Sequence, residues 1–178
     1  GYKPVTNGNQ KQIEKLAQAI NEAKRPLLYT GGGIISAEAS GELANLLAKT
    51  NIPIVITLMG LGSIPSDHPM FLGMPGMHGT MAANLALTEC DLLIGVGVRF
   101  DDRITGPRET FATQATIAHI DIDPAEISKV VKSQIPVVGD AKQILGELVK
   151  KVNQRQPDEW NRRTGSWRNQ FPMTYDQD

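Results

Sequence analysis

The stretch Asp91-Leu-Leu-Ile-Gly-Val-Gly-Val-Arg-Phe-Asp-Asp-Arg-Ile-Thr-Gly106 decides the fold. Its first half is an apolar run too short for an ordinary helix and broken by Gly95 and Gly97, which reads as a strand buried on both faces of a parallel sheet. Its second half turns polar at once. Arg99, Asp101, Asp102 and Arg103 fall where such a strand delivers its loop to the carboxyl edge of the sheet, and in open α/β sheets that edge is where ligands bind. Arginine forks suit phosphate oxygens, and a neighbouring carboxylate can orient them or accept from a hydroxyl. Simple solvation of a loop after a buried strand would give the same charges.

Working outward, the same alternation recurs. From Asn9 to Lys24 apolar residues at three- and four-residue spacing predict an amphipathic helix, closed before Pro26. Arg25 to Thr30 reads as the first strand, Gly31-Gly-Gly33 as a turn, and a helix follows with Ser36 as N-cap, Glu38 in its first turn and Leu43, Leu46 and Leu47 buried. Strand, glycine turn and capped helix form a unit that binds phosphates through backbone N–H groups. Ser36 occupies the place of the last glycine, so Gly-x-Gly-x-x-Gly is not met. The triplet is either a cofactor cradle or a tight turn requiring positive φ. Ile52 to Thr57 is a β-branched strand. The run from Ile64 to Gly79, rich in proline, glycine and methionine, is either a packed loop against a flat apolar ligand or a loop folded over an apolar face of the domain. His78-Gly-Thr80 opens a helix to about Cys90.

Beyond the central stretch, residues 107–115 read as a surface connection or irregular helix. Thr116 to Ile122 is a strand ending in Asp121 and Asp123. Asp121 is placed to accept from ribose hydroxyls, and Asp123 to cap a short helix begun by Pro124. Ile135 to Val138 is a further strand, leading through Gly139-Asp140-Ala141 into an amphipathic helix. There Asp140 is either a plain N-cap or a cap that also meets a ligand. Residues 1–8 have a linker's composition, 9–153 form the domain, and 154–178 read as a terminal helix and connector. The chain opens without methionine and reads as an excised piece.

Eighteen basic against nineteen acidic residues leave a charge of −1, which gives no electrostatic case for nucleic acid or a membrane surface. No apolar run approaches membrane-spanning length. The single cysteine, Cys90, reads as a small buried filler and fits a reducing, cytoplasmic setting. His68, His78 and His119 have no partner at metal-ligand spacing, so no metal is expected. The resulting fold class is a doubly wound parallel α/β sheet of five or six strands with helices on both faces.

Several separate motifs in order carry a family resemblance: Gly97-Val-Arg-Phe-Asp-Asp-Arg-Ile-Thr-Gly106, Leu72-Gly-Met-Pro-Gly-Met-His-Gly79, Thr57-Leu-Met-Gly-Leu-Gly62 and Gly139-Asp-Ala141. Together they resemble the middle, Rossmann-like domain of the acetohydroxyacid synthase (acetolactate synthase) large subunit, a thiamine-diphosphate enzyme that carries FAD. The resemblance implies FAD extended across the carboxyl edge, with Gly31, Gly32 and Gly33 near its phosphate and sugar region. Gly97, Val98, Arg99, Asp101, Arg103 and Ile104 would line the same path, and Thr57, Leu58 and Met59 would flank the flavin with Gly76, Met77 and His78. Asp121 would lie by the adenosine half, and Gly139, Asp140 and Ala141 would form the last contact loop.

It further implies a parent that condenses pyruvate with a second 2-keto acid in branched-chain amino acid biosynthesis, with thiamine diphosphate and Mg held by other domains. Those domains, further copies of the subunit and a regulatory small subunit are the implied partners. The family's Gly-Asp-Gly motif is absent, so this piece is expected to hold no catalytic residue. Three rivals stand beside this reading: another FAD-carrying thiamine enzyme of the pyruvate oxidase or glyoxylate carboligase type, a freestanding nicotinamide-dependent oxidoreductase, and a spacer domain without cofactor. Against the spacer, Arg99, Asp101 and Arg103 would be costly to bury without partners.

Overall fold

The computed structural model describes residues 6–106 and 111–172, with Asp102 and Arg103 described by their backbone alone. Asn9 starts the fold: its side chain accepts from the Lys11 and Gln12 N–H groups and caps α1, Gln10–Glu22, whose Ile13, Leu16 and Ile20 face inward. There follow β1 Pro26–Thr30, α2 Gly32–Ser36, α3 Ser40–Thr50, β2 Ile54–Ile56 and α4 Met81–Glu89. Next come β3 Leu92–Val96, α5 Asp102–Thr105, β4 Thr116–Asp121, β5 Ile135–Val138, α6 Ala141–Lys151 and α7 Glu159–Gln170. The strands make one five-stranded parallel sheet in the order β2-β1-β3-β4-β5. This is the doubly wound arrangement the apolar runs predict.

Because side chains alternate along a strand, each strand feeds two cores. Leu28, Ile54, Ile94 and Ile120 meet α1, α3 and α6, while Leu27, Tyr29, Val55 and Leu93 meet α4 and Trp160 of α7. Cys90 is a filler of the second core, and burial pushes its thiol up to about 12, far from a reactive thiolate. The chain leaves β1 toward β2 on one side, crosses back, and leaves β3 toward β4 on the other. The switch point therefore lies between the carboxyl ends of β1 and β3, where a doubly wound sheet opens its ligand crevice.

Two local expectations fail. Ser36 caps no helix: Gly31 is the N-cap of a five-residue α2 that Ser36 ends. Glu38 then takes φ +51°, and α3 starts from Ala39 with no side-chain cap and Glu42 as the acid of its first turn. The cause lies across the crevice, where Gly33 is held against Gly97 and draws the helix start forward. Asp123 does accept from the Ala125 N–H, but what it caps is a run of turns rather than a helix. Of the connection after β3, residues 107–110 lie outside the described part; Phe111 and Ala112 are buried in the second core rather than on the surface.

The segment after Val152 is fastened to the amino end of the sheet. Arg155 donates to the carbonyls of Ala23 and Lys24 and pairs with Asp158. The Trp160 indole donates to the Pro26 carbonyl at 2.9 Å. Asp158 and Asn161 form a reciprocal capping box that starts α7.

Candidate functional site

At the switch point the β1–α2 corner and the end of β3 touch backbone to backbone. A Cβ on Gly33 would lie 2.4 Å from the Gly97 Cα, and one on Gly31 would lie 2.7 Å from the Gly97 oxygen. Gly32 packs with Met59, whose Cβ would be 3.2 Å from an added Cβ. None of the three takes positive φ, so the tight-turn explanation does not hold. They are glycines because no side chain fits.

The same contacts limit a phosphate cradle. Gly31 N–H donates to Val96 O, Gly33 N–H to Gly97 O at 3.0 Å, and Ile34 N–H to Gly31 O. Only the Gly32 N–H of this run has no acceptor among the described residues. The charge for an anion has to come from elsewhere.

On the β4–β5 side of this corner a groove of about 360 Å³ brings together Gly33, Gly97, Val98, Arg99 and Asp121 with Gly139, Asp140 and Ala141. Ser36, Ala37, Ile120, Ile122, Asp123 and Glu126 also line it, and none of these six is among the expected cofactor-binding residues; for Asp123 the expectation is an N-cap. The exposed Arg99 is the groove's one cation, and no ion pair of its guanidinium is present among the described residues. In the same groove, one Asp121 carboxylate oxygen accepts from the Asp123 N–H at 2.9 Å, and Asp140 caps α6 through the Gln143 N–H. One cation sharing a groove with several carboxylates suits a ligand that carries both an anionic group and hydroxyls.

The other expected residues lie on the β2 side or beside the groove. Thr57, Leu58 and Met59 leave β2; Leu58 is 68% and Met59 76% exposed. Thr57 Oγ1 would stand 3.1 Å from a Cβ on Gly31. Gly76, Met77 and His78 form a loop in which Asn84, a residue the motifs did not single out, brackets Gly76 by accepting from its N–H and donating to its oxygen. Met77 is 86% exposed and His78 is exposed. The Ile56 N–H donates to Gly73 O, so this second loop starts from the same strand end. Asp101 is exposed and its carbonyl starts α5, Ile104 packs partly into the second core, and the Arg103 side chain lies outside the described part. Exposure of Arg99 and Asp101 removes the argument that burying them unpaired excludes a spacer domain.

His119 is the functional candidate that sequence reasoning missed, having weighed it only as a metal ligand. It is 1% exposed within β4, and its Nε2 lies 3.0 Å from Val98 O and 3.8 Å from Asp121 Oδ2. Burial holds its pKa below the ordinary value, so the ring is neutral and the Asp121 contact is no ion pair. The one available signal was an imidazole in the middle of an otherwise apolar strand.

A larger cavity, about 640 Å³, opens at the opposite, amino end of the sheet among Lys24, Arg25, Arg155 and Trp160. Its Arg155 is spent on carbonyls and Asp158, and no glycine corner converges on it, so the smaller groove is the better candidate. Among the described residues no cluster of His, Cys, Asp and Glu has the arrangement to hold a metal.

Residues 13–148 match the family described as "Thiamine pyrophosphate enzyme, central domain". The chain is 56% identical over 149 residues to the "Probable acetolactate synthase large subunit" of Methanocaldococcus jannaschii, covering 84% of this chain and 25% of that protein. With the "Acetolactate synthase large subunit" of Corynebacterium glutamicum it is 46% identical, covering 99% of this chain and 29% of the relative. With that of Buchnera aphidicola it is 43% identical, covering 98% and 31%. The chain thus spans between a quarter and a third of the length of these relatives.

Proposed function

Because this chain belongs to the thiamine pyrophosphate enzyme central-domain family, we propose that it is the middle domain of an acetolactate synthase large subunit and that its carboxyl-edge crevice binds FAD. The observation that carries the FAD reading is the exposed Arg99 guanidinium, without an ion pair among the described residues, lining one groove with Asp121, Asp123, Glu126 and Asp140, while the loop after β2 exposes the apolar Leu58 and Met59. FAD has three parts with those chemistries: ribose hydroxyls, a diphosphate and a flat aromatic ring. The groove lies near the lower end of the ~300–1,000 Å³ of ordinary ligand pockets, which suits the adenosine half alone.

Asp121 and Asp140 would accept from hydroxyls, and Arg99 with the Gly32 N–H would meet the diphosphate. Thr57, Leu58, Met59, Gly76, Met77 and His78 would lie along the flavin, with Arg103 and Asp101 beside the phosphates. In this setting FAD is a structural cofactor and supplies no redox step. The parent activity, condensation of pyruvate with a second 2-keto acid toward branched-chain amino acids, belongs to thiamine diphosphate and Mg on other domains of the subunit. A regulatory small subunit, homo-oligomerisation and a cytoplasmic location are part of the same proposal. Among the described residues no helix is long and apolar enough to cross a membrane.

The test is a fluorescence titration of the folded chain with FAD, alongside NAD and NADP. Saturable FAD binding, weakened about tenfold or more in Arg99→Ala by loss of a charge-assisted contact, is the expected result. Selective NAD binding, or none of FAD by a folded chain, would overturn it.

A further inference from the structure

Resting on that reading of the groove, one feature goes beyond it. Two buried side chains of the sheet serve consecutive carbonyls of the excursion that carries Arg99. His119 Nε2 lies 3.0 Å from the Val98 oxygen, and the Tyr29 hydroxyl donates to the Arg99 oxygen at 3.4 Å. Between them Phe100 turns back into the core, 5.5 Å from the Tyr29 ring and edge-on to His119 at 4.9 Å. Gly95 makes the slot for that ring, since a Cβ there would stand 2.8 Å from Phe100. Val98 and Phe100 are buried and Arg99 is exposed, so the alternation that throws Arg99 outward is held from below. His119 also lies 3.8 Å from Asp121, two residues on at the end of its own strand.

The ring has a single use for its proton. Nδ1 is buried and meets no partner among the described residues, whereas Nε2 faces a carbonyl, which can only accept. We propose that His119, through its Nε2–H, is a positioning residue of the nucleotide groove: it fixes the Val98 carbonyl beside Asp121 and so sets the direction in which Arg99 meets the ligand's phosphates. His119 reaches no ligand atom itself and acts through Arg99.

The test compares the 178-residue chain with its His119→Phe, His119→Gln and Arg99→Ala variants by calorimetric titration with FAD, ADP and adenosine. Phenylalanine keeps a flat apolar ring but removes the donor; glutamine returns an N–H donor at similar reach. His119→Phe is expected to weaken FAD and ADP about tenfold, the scale of one oriented charged contact, with adenosine unchanged and with affinity recovered in His119→Gln. In the Arg99→Ala background, His119→Phe should add nothing, because the two act in series.

An equal loss on adenosine would overturn the proposal, as that marks general damage. So would additive losses in the double variant, or full FAD affinity in a folded His119→Phe while Arg99→Ala is weak. Wild type that binds no FAD defeats the proposed function and this inference together, which separates the two failures. Should the phenylalanine variant not fold, nitrogen NMR of the wild-type imidazole decides: a proton on Nε2 and a bare Nδ1 support the assignment, and the opposite tautomer overturns it.

Discussion

Gly33 and Gly97 are packed so that a Cβ on either would lie 2.4 or 2.5 Å from the other's Cα. The obstacle on each side is backbone, which has no rotamer to yield. Gly33→Ala is therefore expected to cost ~3 kcal/mol or more, the upper range of overpacking. Gly41→Ala, in α3 with nothing within 4 Å of the added carbon, should stabilise by ~0.5–1 kcal/mol through helix propensity. Urea unfolding of the two variants checks the contrast, and equal effects would refute the steric account. The sequence offered a cofactor cradle or a tight turn for the glycine triplet; the turn reading fails because none of the three takes positive φ, and the close packing against Gly97 is what requires glycine. The reason is a contact across 64 residues of chain, which no local pattern displays. His119 belongs at this scale too. Its folded pKa lies below the ordinary 6.5 because burial disfavours the charged ring. The unfolded chain then takes up a proton that the folded chain refuses, so stability is fully present above about pH 6.5 and falls as pH drops below it, by up to ~1.4 kcal/mol per pH unit. His68, which burial also holds below the ordinary value, adds to this in the same direction. Denaturation at pH 5.5 and 7.5 should show a smaller difference in His119→Gln than in wild type, and an undiminished difference would assign the effect elsewhere.

Among the elements, α7 shows how a polar helix is bound to a sheet. Its charges gave no amphipathic stripe, so the sequence placed a terminal helix without saying that it docks. Docking rests on a few particular groups: Trp160, 3% exposed and donating to Pro26 O, and the Asp158–Asn161 box with Arg155 beside it. Asp158→Ala removes a cap and leaves Arg155 without its carboxylate, and is expected to cost ~1–2 kcal/mol. Trp160→Ala should cost ~3–5 kcal/mol, a buried-aromatic loss, and should loosen the amino end of β1 first. Hydrogen exchange at Leu27 and Leu28 reports that loosening; protection there unchanged in Trp160→Ala would show that α7 is not what holds the strand. The strands, by contrast, were legible to within a residue or two, because β-branched runs bounded by proline and glycine carry their own signal. The five-residue α2 was not: at under two turns it has no period, and its start is dictated by Gly97.

For the whole molecule the question is what the carboxyl edge exposes. Leu58, Met59 and Leu61 follow β2, Met77 lies in the loop before α4 and Met81 is the first residue of α4, and all five are exposed although the chain has ample core elsewhere. Large apolar side chains exposed at one end of a sheet favour self-association unless a ligand or partner covers them, and a net charge of −1 offers little repulsion against it. The isolated chain is expected to associate as its concentration rises, and Leu58→Ser with Met59→Ser should relieve this while leaving ADP affinity within about twofold, since neither residue lines the groove. FAD should relieve it as the serines do, whereas ADP, which lacks the flat ring, should not. Sedimentation velocity across a concentration series, with each nucleotide in turn, makes the comparison. Equal relief by ADP and FAD would mean that filling the groove alone suffices and that the flavin does not lie on these loops; association undiminished in the double serine variant would move the adhesive surface to another face.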